Sequence, residues 1–231
     1  MKIGAVILSR YSSSRLPGKA LMKIQGKAVL EYIVERLLLV FNKKDIVIAT
    51  SQLESDNLIA SFAESHGLNC FRGSLENVAE RFFQAAQSLS FDYATRINGD
   101  NIFADVNVIR DMVKITQNNN YSFISNVKDR TFPKGMSVEI VKMSHYKSLM
   151  PKINCSEEYK EHVTLYLYDH VLEDYYFFYN RTFPEAAGIQ MALDSNDDLD
   201  RAKNIIVKFN KPHWHYNMQE VFQIMKEYKY E

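Results

Sequence analysis

The chain has 231 residues, 46% of them hydrophobic, which is enough to bury the core of one large α/β domain. Its 28 basic and 28 acidic residues cancel, so no chain-wide positive field would hold a polyanion, which argues against nucleic acid as the main partner. The two cysteines, Cys70 and Cys155, are far apart and lack a histidine at ligand spacing, which predicts free buried thiols rather than a disulfide or zinc site.

The chain begins with a short apolar run in MKIGAVILSR. The run is too short to span a membrane, and no small-residue cleavage site follows it. We therefore expect a buried first strand in a cytoplasmic protein with no membrane partner.

Short apolar runs then alternate with longer stretches of helical spacing, which is typical of a parallel sheet with helices on both faces. The pattern predicts a three-layer α/β/α sandwich with a mostly parallel central sheet. The predicted strands cover residues 3–8, 45–50, 68–72, 93–97, 121–125, 137–141, 175–179 and 189–193. The predicted helices cover residues 29–41, 55–65, 75–89, 106–117, 157–169, 197–209 and 217–226.

The alternation is less regular between residues 118 and 180, where strands follow one another without long helices. No repeat or Gly/Ser/Pro linker divides the chain. We therefore predict one domain over residues 1–231, with an inserted element for dimerisation or acceptor binding within about 118–180. The aromatic run at 175–179 fits core or subunit contact better than base stacking.

A loop rich in cations and hydroxyls follows the first strand, from Leu8 to Lys19. Arg10, Arg15 and Lys19 can offset the charge of a triphosphate, while serine hydroxyls and backbone N–H groups supply further donors. The loop matches neither GxGxxG nor GxxxxGK[ST], which argues against dinucleotide-binding and P-loop ATPase motifs. On spacing alone, a polyphosphate site and a solvated basic turn are about equally consistent with this loop.

Two aspartates follow predicted strands. Asp100 ends Asn98-Gly99-Asp100 after strand 93–97, and Asp194 follows strand 189–193, so both should lie at the carboxyl edge of the sheet. Mg²⁺ commonly takes one or two carboxylates together with phosphate oxygens and water. A simple turn is the alternative for Asn98-Gly99-Asp100. Ser195 and Asp198 form a variant capping box, so Asp194 alone of its segment is assigned to the metal.

Several segments resemble, in order, those of the sugar-acid cytidylyltransferases, including relatives of the spore-coat polysaccharide, 3-deoxy-manno-octulosonate (KDO) and acylneuraminate enzymes. The segments are ILSRYSSSRLPGKAL, ATSQLESDN, FRGSLENVAERF, TRINGDN, FPKGMSVEI, EEYKEHVT and LDSNDDLDRAK, within about residues 3–206. The resemblance implies a nucleotide-diphospho-sugar transferase-like (Rossmann-like) fold, CTP as donor, Mg²⁺ and a homodimer. The loop departs from commoner family versions because Tyr11-Ser12-Ser13 contains no glycine, so we expect altered loop geometry with binding retained.

The resemblance also implies site residues. Catalysis is carried over to Arg15, Lys19 and Asp100, and metal binding to Asp100 and Asp194. Nucleotide contacts are carried over to Leu8, Arg10, Ser14, Arg15, Lys19, Ser51, Gly73, Ser74 and Arg96. Acceptor contacts are carried over to Lys134, Glu139, Glu161 and His162.

Three of these assignments also have a purely structural explanation. Helix capping would explain Ser74 equally well, and an ion pair would explain Arg96 nearly as well. The acidic start of the helix that contains Glu161 and His162 also suits the helix dipole. His213-Trp214-His215 lacks a third ligand and is left out of any metal site.

These observations predict a CTP-dependent cytidylyltransferase that activates a sugar acid for surface polysaccharide or glycan synthesis. One alternative keeps the fold but uses another nucleotide or a sugar phosphate. The other alternative is a catalytically silent nucleotide- or sugar-binding protein of the same fold.

Overall fold

A computed structural model describes residues 1–13 and 15–228 of the chain. The strands are β1 (Ile3–Leu8), β2 (Lys23–Ile24), β3 (Lys27–Ala28), β4 (Ile46–Ser51), β5 (Asn69–Gly73), β6 (Tyr93–Asn98), β7 (Phe123–Ser125), β8 (Glu139–Lys142) and β9 (Tyr175–Phe177). The α-helices are α1 (Val29–Leu37), α2 (Asn57–Ser65), α3 (Val78–Ser88), α4 (Val106–Asn118), α5 (Met143–Ile153), α6 (Glu157–Glu161), α7 (Leu165–Asp169), α8 (Asn196–Val207) and α9 (Met218–Tyr228).

Seven strands form one central sheet in the order β5-β4-β1-β6-β8-β7-β9. β5, β4, β1 and β6 are parallel, β8 is antiparallel to both its neighbours, and β9 is parallel to β7. Helices cover both sides of this sheet, so the predicted α/β sandwich with a mostly parallel sheet is confirmed. Among the described residues, none of the helices has both the length and the apolar character that crossing a membrane requires.

The apolar runs become strands that are buried on both faces. Alternate residues of a strand point to opposite faces of a sheet. In β1, Ala5 and Ile7 pack in one core cluster, whereas Val6 and Leu8 pack in the other. The continuous hydrophobic runs of the sequence are therefore explained by two cores, one on each side of the sheet.

One predicted strand is wrong. Residues 189–193 form no ladder and share a single parallel bridge, Lys134 with Gln190. The partner segment turns at Gly135, whose φ is +90°, and an added Cβ there would lie 2.4 Å from the backbone nitrogen of Ala192. Because the two backbones meet at this sharp turn, the pairing cannot continue along the segment.

The segment between residues 118 and 180 also differs from the prediction. It contains a long helix, α5, whose buried residues Met143, Tyr146, Met150 and Ile153 have helical spacing. The predicted helix 157–169 is instead two short helices, α6 and α7, because Val163 between them has a φ of 47°. The assignment of one domain with an inserted dimerisation or acceptor element stays a prediction.

Two smaller features also differ, in whole or in part, from what the sequence predicts. β2 and β3 form an unpredicted hairpin, whose turn residues Gln25 and Gly26 have φ values of 50° and 79°. Positive φ at both central residues is the requirement of a tight two-residue hairpin turn. Cys70 and Cys155 are free, as predicted, but they are exposed rather than buried.

Candidate active site

The candidate site lies at the carboxyl ends of β1 and β6. The chain places β4 and β5 on one side of β1 and β6 on the other, which creates the crevice where open α/β sheets bind ligands. Leu8, the last residue of β1, pairs with Ala49 of β4 and Asn98 of β6. The loop of residues 9–19, hereafter the phosphate loop, therefore begins directly above this crevice.

Lys19 brings together the two aspartates predicted as metal ligands. Its Nζ donates to Asp100 Oδ2 at 2.6 Å and to Asp194 Oδ1 at 3.4 Å. It also donates to the carbonyl oxygen of Leu193 at 2.7 Å. Two carboxylates from separate segments thus converge on one positively charged atom.

The other two predicted cations of the phosphate loop also face carboxylates. Arg15 Nη2 lies 2.9 Å from Asp194 Oδ1, and Arg10 Nη2 lies 3.7 Å from Glu161 Oε1. All three cations are therefore paired within the protein. A polyphosphate that entered the crevice would have to exchange with these carboxylates, and a divalent cation on the aspartates would favour that exchange.

Asp194 is oriented by the capping box that follows it. Ser195 Oγ accepts from the backbone nitrogen of Asp198, and Asp198 Oδ2 accepts from the backbone nitrogens of Ser195 and Asp194, so the predicted box is confirmed. Burial alone would raise the pKa of Asp198, but these hydrogen bonds and Arg201 lower it. Gln190 Nε2 donates to Asp194 Oδ2 at 3.2 Å and further restricts this carboxylate.

Two adjoining cavities open at the crevice. The small cavity, of ≈ 340 Å³, lies beside the phosphate loop, and the large cavity, of ≈ 810 Å³, lies beyond it. Six residues line both cavities and mark their junction: Arg15, Arg96, Asn98, Asp100, His162 and Asp194. The paired aspartates therefore lie where the contents of the two cavities would meet.

Most of the predicted site residues line these cavities. The small cavity is lined by Leu8, Arg10, Arg15, Lys19 and Arg96 and also by Glu161, whose acceptor role stays a prediction. Lys134 and Glu139 line the large cavity, and His162 lines both cavities. Ser14 lies outside the described residues.

Ser51, Gly73 and Ser74 all have structural contacts, and their nucleotide-binding assignments stay predictions. Ser51 is fully buried, and its hydroxyl donates to Asp56. Ser74 Oγ accepts from the backbone nitrogen of Asn77 at 3.0 Å, which is the capping alternative. Gly73 ends β5 in register with Ser51. None of the three lines the small or the large cavity.

Arg96 forms an ion pair with Glu139, the alternative that the sequence left open. Glu139 also accepts from Thr164 Oγ1 at 2.7 Å and from Tyr168 Oη at 2.6 Å. Burial alone would lower the pKa of Arg96, but the Glu139 carboxylate raises it. Burial and the same carboxylate raise the pKa of Tyr168 well above its ordinary value. This buried network forms one wall of the large cavity.

Two further residues of the site were not predicted. Asp56 accepts from the backbone nitrogens of Tyr11, at 2.6 Å, and Ser51, at 2.8 Å, and so connects the phosphate loop to the end of β4. Arg81 lines the small cavity from α3 and is only 2% exposed. Burial and the nearby charge of Arg10 lower the pKa of Arg81 to about 10. Both residues lie in segments that resemble the family, but a local pattern does not reveal their contacts.

Several known proteins are similar in sequence to this chain. The chain is 29% identical over 215 residues to the spore coat polysaccharide biosynthesis protein SpsF of Bacillus subtilis, covering 88% of this chain and 85% of that protein. It is 28% identical over 131 residues to a 3-deoxy-manno-octulosonate cytidylyltransferase of Geotalea daltonii, covering 56% of this chain and 51% of that protein.

A solved cytidylyltransferase from Leptospira borgpetersenii has the same fold, with a TM-score of 0.90 and 24% identity. The alignment covers 100% of this chain and 96% of that one. The profile of the cytidylyltransferase family matches residues 5–226. The chain therefore belongs to the cytidylyltransferase family and is a nucleotidyltransferase.

Proposed function

We propose that this enzyme transfers the cytidylyl group of CTP to a hydroxyl of a sugar acid and releases pyrophosphate. The observation that carries the proposal is the convergence of Asp100 and Asp194 on Lys19 at the junction of the two cavities. In this arrangement the nucleotide occupies the small cavity and the acceptor occupies the large cavity.

The reaction is an in-line displacement at the α-phosphorus. The acceptor hydroxyl oxygen attacks the α-phosphorus, and the bond from that phosphorus to the bridging oxygen of the β-phosphate breaks. Pyrophosphate leaves with the bonding electron pair, and the hydroxyl proton passes to solvent. Arg10, Arg15 and Lys19 bind the phosphate oxygens and stabilise the charge that develops on the leaving group.

Asp100 and Asp194 would hold Mg²⁺. Their carboxylate oxygens are the hard ligands that this ion prefers, and both already face one cation, the ammonium group of Lys19. When bound, Mg²⁺ would act as a Lewis acid on the phosphate oxygens. Lys19, which now pairs with both aspartates, would then bind the phosphate oxygens of the nucleotide.

The acceptor is proposed to be a sugar acid because Lys128, Arg130 and Lys134 line the large cavity, where Asp129, Glu139 and Glu158 also lie and can accept from sugar hydroxyls. These cations can pair with a carboxylate. Similarity to a spore coat polysaccharide protein and to a KDO cytidylyltransferase supports a role in surface polysaccharide or glycan synthesis. We place the enzyme in the cytoplasm, where CTP is available.

Two other functions remain as outcomes of the test. A nucleotidyltransferase of the same fold would use another nucleotide or a neutral sugar phosphate. A catalytically silent binding protein would bind CTP without turnover. The presence of Lys19, Asp100 and Asp194 in one contact group favours an active enzyme over the silent one.

The test is pyrophosphate release with each nucleoside triphosphate, Mg²⁺ and a panel of KDO-like sugars, sialic-acid-like sugars and neutral sugar phosphates. We expect turnover with CTP and a sugar acid, and its loss when Mg²⁺ is chelated. Asp100→Asn should lower kcat at least about 100-fold because it weakens charge stabilisation at the junction. Asp197→Asn, an exposed aspartate nearby, should retain wild-type kcat.

Preference for another triphosphate, or for neutral sugar phosphates, would replace the proposed substrates. CTP binding without turnover on the whole panel would favour the silent protein. Unchanged kcat in Asp100→Asn would remove the metal assignment.

We further propose a homodimer. β9 is the last strand of the sheet, and within the described residues its strand partner is β7 alone. Tyr176 and Phe177 on this edge are only partly buried, which fits a subunit contact. Light scattering of the purified protein should give twice the mass of one chain, and a monomer at micromolar concentration would contradict the proposal.

A further inference from the structure

A three-residue turn separates α6 from α7 and consists of His162, Val163 and Thr164. The backbone nitrogen of Thr164 donates to the carbonyl oxygen of His162 at 2.5 Å, and the φ of Val163 between them is 47°. The backbone nitrogen of Leu165 donates to the same oxygen at 3.1 Å, so the segment is a tight β-turn whose first central residue, Val163, has a positive φ. A β-branched residue in this conformation is a backbone outlier.

The turn directs its three side chains to two different places. His162 lines both cavities, and Thr164 lines the large cavity, where its hydroxyl donates to Glu139 Oε1 at 2.7 Å. Val163 is fully buried in the core cluster that contains Tyr146. In a continuous helix, residues two apart point about 200° away from each other. The turn therefore lets both neighbours of Val163 reach the crevice.

Core contacts keep the turn in this conformation. The hydroxyl of Tyr146, itself fully buried, donates to the carbonyl oxygen of Val163 at 2.7 Å. The buried valine side chain and this hydrogen bond fix the turn from the side opposite the cavities. Backbone strain that the surrounding structure maintains is typically found at ligand-binding and catalytic sites.

We propose that Val163 is a positioning residue for the acceptor: its left-handed backbone, anchored by Tyr146, presents His162 and Thr164 to the junction and the large cavity. The inference rests on the proposed function, because it assigns the large cavity to the acceptor. Val163 itself touches neither substrate. Because Thr164 lines only the large cavity and His162 lies at the junction, disturbing Val163 should raise the KM of the acceptor more than the KM of CTP.

The first test is Tyr146→Phe, which removes the hydrogen bond to Val163 and keeps the ring. We expect the acceptor KM to rise about fivefold, the factor that the loss of one hydrogen bond typically produces. The CTP KM should stay within about twofold of the wild type. Tyr32→Phe is the matched control, since Tyr32 is also buried and donates to a backbone carbonyl, that of Ile24, at 2.9 Å. The control should leave the acceptor KM unchanged.

The second test compares Val163→Ala with Val47→Ala. Both valines are buried in the same core cluster, and each variant loses the same two methyl groups. Val47 lies near the start of β4, away from the carboxyl edge. Both variants should unfold at a lower temperature. Only Val163→Ala should raise the acceptor KM.

The outcomes separate the inference from the proposed function. If the wild type turns over no sugar acid with CTP, the proposed function fails and the inference fails with it. If the wild type is active but both Tyr146→Phe and Val163→Ala retain its acceptor KM, the inference alone is overturned. A lower kcat with both KM values unchanged would mean a purely structural turn and would also overturn it.

Discussion

Buried arginines show how one residue type serves structure in one place and the site in another. Arg36 is fully buried and donates to the carbonyl oxygens of Ala104, His213 and Tyr216 in the core. Arg81 is held by backbone carbonyls too, whereas Arg96 pairs with Glu139. A buried charge is costly unless it is paired or hydrogen-bonded. Of these three, only Arg81 and Arg96 line the cavities of the crevice.

At the residue scale, we predict that Glu139→Gln destabilises the protein. Glu139 is 2% exposed, and its loss of charge leaves Arg96, whose side chain is only 17% exposed, without a counter-ion. Removing one partner of a buried pair costs on the order of 3 kcal/mol. Urea unfolding should show this loss, whereas Glu158→Gln, which changes an exposed carboxylate in the same cavity, should show almost none. Equal stability of the two variants would contradict the prediction.

Residues 11–13 of the phosphate loop contain no glycine, and hydrogen bonds of Tyr11 maintain the conformation of this part of the loop. The carbonyl oxygen of Tyr11 accepts from the backbone nitrogens of Ser13 and Gly18, which closes the loop on itself. Gly18 has a φ of +71° and lies against the Tyr11 ring, so a side chain there would be strained and crowded. Asp56 then connects Tyr11 to β4. The geometry of the phosphate loop therefore depends on Asp56, which lies just before α2.

At the element scale, Asp56→Asn should loosen this loop. Burial alone would raise the pKa of Asp56, but hydrogen bonds from Ser51 and from the Tyr11 backbone lower it. A lowered folded-state pKa stabilises the fold above the unfolded value, about 3.9, and this stability is lost as pH falls through the folded value.

The variant should therefore lose about 2 kcal/mol at neutral pH, lose less stability than the wild type on acidification, and bind CTP more weakly. Thermal unfolding across pH and calorimetry with CTP measure these effects. Glu54→Gln, an exposed neighbour, is the control. An Asp56→Asn protein with wild-type stability and CTP affinity would refute the role of Asp56.

Across the whole molecule, hydrogen bonds connect residues 213–218, near the C-terminus, to helix α1 and to Asp105. Arg36 of α1 contacts the carbonyls of His213 and Tyr216, and His213 Nε2 lies 2.6 Å from Glu35 Oε2. The backbone nitrogen of Met218 donates to Asp105 Oδ2 at 2.6 Å. His213, the first histidine of His213-Trp214-His215, is thus a packing residue of the core.

These contacts predict a pH dependence of the global stability. Burial lowers the pKa of His213 to about 4, although the Glu35 carboxylate opposes this shift. The unfolded chain, with a histidine pKa of about 6.5, binds more protons than the folded chain between these values. Stability should therefore fall as pH is lowered from about 6.5 towards about 4.

His213→Gln should flatten this part of the stability curve, because this position then takes up no proton on unfolding. His215→Gln, an exposed neighbour, should retain the wild-type slope. Thermal midpoints measured from about pH 7.5 to about pH 4.5 test this. Equal slopes for His213→Gln and the wild type would contradict the prediction.

Sequence patterns alone were sufficient to predict the layered α/β architecture and the place of Asp100 just after β6. Apolar periodicity is a local signal, and parallel strands bring their carboxyl ends to one edge wherever they lie along the chain. Asp194 reaches Lys19, which also binds Asp100, even though residues 189–193 form only one bridge, because the segment still follows Lys134 at Gln190.

The contacts of each polar side chain depend on the three-dimensional fold. Arg96 meets Glu139 because β6 and β8 pair antiparallel, and this register is not written in either strand alone. Ser51 became a buried donor to Asp56, and residues 157–169 became two helices around Val163. Burial and hydrogen-bond partners depend on residues distant in the chain, whereas propensity and periodicity describe only neighbours, so no local pattern contained these outcomes.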